Sequence, residues 1–120
     1  RTPLHLAAFN GKADTVRALV KLGADLQSQV GDGLMAIHLA ASRGCRLTVQ
    51  ALVLLGADVD ARCGERSTAL IWAAGRGHLP TVKMLCELGA DVHVKSSSGS
   101  TALHAAVMKH GSAGERAVCE

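Results

Sequence analysis

Apolar positions along the 120-residue chain fall into short clusters with helical spacing, separated by polar stretches that carry glycine. Val16, Leu19 and Val20 mark one face of a 3.6-residue period, and the spacing returns in Val49, Leu52 and Val53 and again in Val82, Leu85 and Cys86. Cys86 thus takes a valine's place in the third cluster. Each cluster runs into a glycine, Gly23, Gly56 or Gly89, where a helix is commonly stopped by a residue of positive φ. Ahead of each lies a second apolar segment with a pair of small residues: TPLHLAAFNGK from Thr2, MAIHLAASRGC from Met35, TALIWAAGRGH from Thr68 and TALHAAVMKHG from Thr101. The starting positions 2, 35, 68 and 101 are 33 residues apart. LGADL from Leu22, LGADV from Leu55 and LGADV from Leu88 repeat at the same interval. The pattern predicts paired helices recurring along the chain, with polar loops between the pairs.

These units resemble the ankyrin repeat. The resemblance rests on Thr2-Pro3-Leu4-His5-Leu6-Ala7-Ala8 with Gly11, then Gly23-Ala24-Asp25, and on their later equivalents, and it covers essentially the whole chain. It implies an all-α solenoid of stacked helix-turn-helix units with hairpin loops, or fingers, between units. The register divides one domain, residues 1–120, into repeats at 1–31, 32–64, 65–97 and 98–120. The first and last are expected to be truncated, so that the chain is an excerpt of a longer array.

Local chemistry supports that division. Thr2, Thr68 and Thr101 suit a helix N-cap, and Pro3 suits the first helical position, where its missing N–H costs nothing. The alanine pairs Ala7-Ala8, Ala40-Ala41 and Ala73-Ala74 let another helix come close. Met35-Ala36-Ile37 replaces Thr-Pro-Leu in the second copy and removes the capping hydroxyl, at a typical cost of about 1 kcal/mol. The resemblance gives His5, His38 and His104 the role of holding neighbouring loops by hydrogen bonds. Ile71 stands in that place in the third copy, so its junction is expected to be looser. In the fourth copy His110-Gly111-Ser112-Ala113-Gly114 adds about three residues and lengthens the inter-helix turn.

Composition narrows the function. Phe9 and Trp72 are the two aromatic residues, too few for a surface of stacked bases or sugars. A net charge of +3 is too small to drive polyanion binding without clustering, so nucleic acid is a disfavoured partner. No apolar run approaches the roughly 20 residues of a membrane span. Cys45, Cys63, Cys86 and Cys119 form no C-x-x-C pair, which points away from a disulfide framework and towards a reducing, intracellular compartment, cytoplasm or nucleus.

Candidate chemistry mostly dissolves into the repeat. Gly75-Arg76-Gly77-His78 has the look of a phosphate loop, but Gly77 matches Gly11 and Gly44, and no strand precedes it. His78 occupies the family's usual Gly-His position, and His93 and His110 have no partner at ligand spacing, so no metal site is expected. No nucleophile elbow or cysteine–histidine pair appears outside repeat register. No catalytic residue, cofactor or small-molecule substrate is expected. Ser96-Ser97-Ser98-Gly99-Ser100 falls in a finger and reads as a flexible polar tip, with phosphorylation as the sharper alternative. Gln27, Asp60 and His93 occupy a slot that in related repeats is an asparagine open to hydroxylation, and Asp60 and His93 keep that modification open.

The resemblance further implies a concave groove, lined by the first helices and the fingers, that binds a protein partner. By position it would contain Phe9, Asn10, Ser42, Arg43, Gly75, Arg76, Met108 and Lys109 after the small pairs, and Arg1, Leu34, Ser67 and Ser100 before the caps. Gln29, Arg62 and Lys95 fall at finger stems, and Asp32, Glu65 and Ser98 at the tips. Arg1, Arg43, Arg62, Arg76, Lys95 and Lys109 outnumber Asp32 and Glu65, so the partner is expected to offer acidic or phosphorylated segments, held also by Phe9, Leu34 and Met108. Trp72 replaces Leu6 and Leu39 and reads as core filling or as an interface anchor. The expected function is a non-catalytic protein–protein interaction scaffold. The alternative is the substrate-recognition module of a larger enzyme, such as a ubiquitin ligase or a kinase.

Overall fold

The computed structural model describes residues 2–31, 33–64 and 66–94. They form six helices: α1 (Pro3–Phe9), α2 (Ala13–Lys21), α3 (Ala36–Ser42), α4 (Arg46–Leu54), α5 (Ala69–Gly75) and α6 (Leu79–Glu87). The expected fourth unit, with His104 and His110, and the Ser96–Ser98 finger ahead of it lie outside the described residues.

Each start and stop follows from the sequence. Thr2 Oγ1 accepts the His5 backbone N–H at 3.2 Å, and Thr68 Oγ1 accepts that of Ile71 at 3.4 Å. At α3, where methionine offers no hydroxyl, the Met35 N–H instead donates to His38 Nδ1 at 3.0 Å. At the end of α2 the Gly23 N–H returns to the Val20 carbonyl and the Ala24 N–H to that of Leu19, a Schellman closure. Gly23 takes φ +105°, a conformation that only glycine adopts without strain.

The helices stack in two layers, α1 against α3 against α5 and α2 against α4 against α6, with each first helix packed on its own second helix. The alanine pairs account for the closeness: Ala8, Ala40, Ala41 and Ala73 are completely buried. Leu4, Ile37 and Leu70, one from each first helix, and Val16, Val49, Leu52 and Leu85 from the second helices fill the space between the layers. A helix of seven to nine residues is marginal in water, so packing of these side chains rather than intrinsic propensity holds the units.

The apolar stripe of the third unit departs from expectation. Cys86 is exposed, unlike its neighbours on the stripe, Val82 and Leu85, so the thiol does not serve as a core valine. Cys63 and Cys86 are free thiols, and Cys45 is fully buried ahead of α4.

Between units the chain forms the expected fingers. In the first, Val30 and Leu34 exchange both backbone hydrogen bonds at 2.9 Å, a minimal antiparallel bridge. In the second, the Cys63 N–H donates to Ser67 O at 3.1 Å, and a turn bond from the Arg66 N–H to Cys63 O, 2.8 Å, tightens the tip.

Candidate functional site

In each of the first two units one histidine ties the following finger to its helix pair. His5 Nε2 lies 2.9 Å from the Ser28 carbonyl, and His38 Nε2 lies 2.8 Å from that of Ala61, both 23 residues ahead. A carbonyl only accepts, so Nε2 carries the proton in both rings. Both rings are completely buried, and burial pushes His38 below its ordinary pKa, partly offset by the bond to Ala61. These are structural roles, as the repeat register implied. Ile71 has no such polar reach. The third unit is tied instead in the opposite direction: His78 Nε2 donates to the Ser42 carbonyl of the preceding unit at 3.0 Å. Sequence reading placed His78 in the repeat but missed this bond, because a partner 36 residues back leaves no local signal.

The candidate groove is built on the C-terminal ends of the first helices, where Asn10, Arg43 and Arg76 are the C-cap residues of α1, α3 and α5. Arg43 is half-buried and held twice by Phe9: its guanidinium carbon stands 4.7 Å from the ring centroid, and its Nε donates to the Phe9 carbonyl at 3.2 Å. That contact crosses from the second unit to the first. Arg76 is exposed and lies 5.8 Å from the centre of the Trp72 ring on its own helix. Guanidinium over an aromatic face is an attractive arrangement that also restricts the long side chain.

Trp72 is half-buried and packs against the core, while one ring face carries Arg76, so it fills space and supports the surface together. Its indole Nε1 is buried without a hydrogen-bond partner. Ser42 is half-buried, with its hydroxyl donating to Leu39 O, so its side chain is turned back onto its helix. Asn10, Gln29 and Arg62 are exposed, and Leu34 is half-buried in the finger bridge.

Ser67 corrects the expected surface. It is 7% exposed, one residue ahead of the fully buried cap Thr68, because its carbonyl closes the second finger and draws the side chain inward. Asp32, Glu65, Lys95, Ser98, Ser100, Met108, Lys109 and Arg1 lie outside the described residues. A residue that sequence reading missed joins the basic set. Arg66, exposed at the second finger tip, adopts φ +60°, the position Gly33 takes at +83° in the first finger. The 33-residue register could have paired the two, but only the backbone shows that both occupy the left-handed region. Among the described candidate positions every charged residue is an arginine: Arg43, Arg62 and Arg76.

No group of three or more His, Cys, Asp or Glu side chains among the described residues is placed to hold a metal ion. No helix among them is long and apolar enough to cross a membrane. Asp58 and Asp60 face the other way chemically: their carboxylates accept backbone N–H groups, Asp58 from Asp60 at 2.9 Å and Asp60 from Asp91 at 2.8 Å, which joins successive loops.

The stacked helix pairs, their glycine closures and the histidine-tied fingers define a helical repeat protein. The family model described as ankyrin repeats (3 copies) matches residues 1–63 and 37–119. The chain belongs to the ankyrin repeat family, whose members generally serve as protein–protein interaction modules. No curated protein matches it.

Proposed function

We propose that the chain is a recognition scaffold without chemistry of its own, which binds a protein partner through the first-helix ends and the fingers and favours acidic segments of that partner. The supporting observation is the pairing of Arg43 with Phe9 and of Arg76 with Trp72 at the same cap position of consecutive units. Rings that hold a guanidinium in place reduce the ordering cost of binding, and charge of one sign steers an oppositely charged partner. Arg62 and Arg66 on the second finger extend the same sign.

The test is a titration of the protein with a glutamate-rich peptide and with its lysine counterpart, repeated on the double variant Arg43→Glu/Arg76→Glu. Binding of the acidic peptide alone, weakened at least about tenfold by the double reversal, is the expected result; tenfold corresponds to about 1.4 kcal/mol. Equal affinity for both peptides, or no effect of the reversal, contradicts it. Tighter binding of a single-stranded oligonucleotide, with a steep salt dependence, would move the reading to nucleic acid.

A further inference from the structure

The outward side of α4 breaks the repeat. Leu47 stands where α2 carries Asp14 and α6 carries Pro80, and Leu54 stands where they carry Lys21 and Glu87. Both leucines are exposed, by 42% and 73%. Seven positions apart on one helix, they share a face about 10 Å long, with Gln50 between them. Neither serves the core. An acid in the first turn and a base in the last complement the helix dipole, and α2 has both in Asp14 and Lys21, whereas α4 has neither. Single surface leucines are ordinary, but two aligned on one helix, at positions where the first unit is charged, mark a contact surface.

The surroundings decide the occupant. An open cleft of about 510 Å³ lies beside the stripe, with Lys12, Asp14, Thr15 and Arg17 on one wall and Leu47 and Gln50 on the other. The exposed charges around cleft and stripe are Lys12, Arg17, Lys21 and Lys83 against Asp14 and Glu87. Asp14 is already paired with Arg17 at 2.8 Å. Among these described residues the surplus is basic and falls on the α2 side. A second copy would bring the same surplus against itself, which repels. A flat bilayer leaves the cleft unfilled, and Glu87 beside Leu54 would face its anionic headgroups. A helix laid along the furrow between α2 and α4 satisfies both features. Apolar residues at i, i+3 or i+4 and i+7 match the two-turn spacing of the leucines, and carboxylates on its α2 side meet Lys12 and Lys21.

We propose that this furrow docks an amphipathic helix of a partner protein, with apolar residues against Leu47 and Leu54 and acidic residues towards Lys12 and Lys21. The surface belongs to the second helices, away from the first-helix ends, and the inference does not depend on the basic groove.

The probe is a fluorescein-labelled helical peptide of roughly 18 residues, about five turns, with leucines at those spacings and glutamates flanking them. It is titrated into the whole chain beside a scrambled peptide of the same composition. The patterned peptide should bind at least about tenfold tighter than the scrambled one and shift the amides of residues 47–54. The variant Leu47→Gln/Leu54→Gln, which is neutral and uses a good helix former, should weaken binding at least about tenfold with an unchanged circular dichroism spectrum. Lys21→Glu should weaken it about threefold or more, and Arg43→Glu/Arg76→Glu should leave it largely intact.

Equal binding of the scrambled peptide, no binding of either, or indifference to the loss of both leucines overturns the proposal. So does loss of binding in the double arginine variant alone, which would put the peptide in the basic groove. Attachment to phosphatidylserine vesicles that the double leucine variant abolishes would assign the stripe to a lipid surface. A dimer seen in sedimentation and lost in that variant would assign it to a second copy, and either result overturns the docked helix.

Discussion

His78 donates through Nε2 to the Ser42 carbonyl, 3.0 Å away, and so fastens the third unit to the second where Ile71 has removed the usual forward tie. His78→Ala should cost about 1–2 kcal/mol, because the carbonyl is left without its buried partner. His38→Ala should cost more, since His38 serves both Met35 N–H and Ala61 O. Ile71→His should restore a forward bond to the Val94 carbonyl, 23 residues ahead, and slow amide exchange over residues 91–94. Urea unfolding and hydrogen exchange check all three.

Acid should weaken the array through His38. In the folded chain Nδ1 accepts from Met35 N–H and Nε2 donates to Ala61, so a second ring proton has no acceptor, and burial holds the pKa below its ordinary 6.5. The unfolded chain then binds more protons than the folded chain as pH falls below 6.5. The His38 contribution is complete above that value and is lost progressively below it. Urea midpoints should drop between about pH 7.5 and pH 5, and His38→Gln should flatten the decline; parallel curves for the two proteins would contradict this.

The finger tips should respond in opposite directions to substitution. A Cβ on Gly33 would stand 3.1 Å from the Gly64 backbone nitrogen, on a residue already at φ +83°, so Gly33→Ala should destabilise by about 1–2 kcal/mol or more. Arg66 holds the equivalent left-handed position without glycine's freedom, and Arg66→Gly should stabilise by up to about 1 kcal/mol. If Arg66 also touches the partner, the same substitution should weaken peptide binding. Thermal melts and peptide titrations of the two variants separate these effects.

Periodicity made the fold legible, since caps, alanine pairs and terminal glycines recur at one interval and each has a local physical cause. The surface was legible only in part. Arg43 and Arg76 could be placed at equivalent positions from the register, but the Phe9 carbonyl under Arg43 depends on how two units settle against each other. Ser67 and Cys86 went the wrong way for the same reason: a repeat position gives an average environment, and neither the tightened finger nor the exposed edge of α6 is average. His78 shows the limit most clearly, because its bond replaces one that another residue would have made.

The most direct test is an amide-resolved map of the chain bound to a glutamate-rich peptide. Stacked repeats that expose a recognition surface predict perturbations around Phe9 and Asn10, Ser42 and Arg43, and Gly75 and Arg76, with the outward sides of α2, α4 and α6 unchanged. A footprint confined to those second helices would contradict the account.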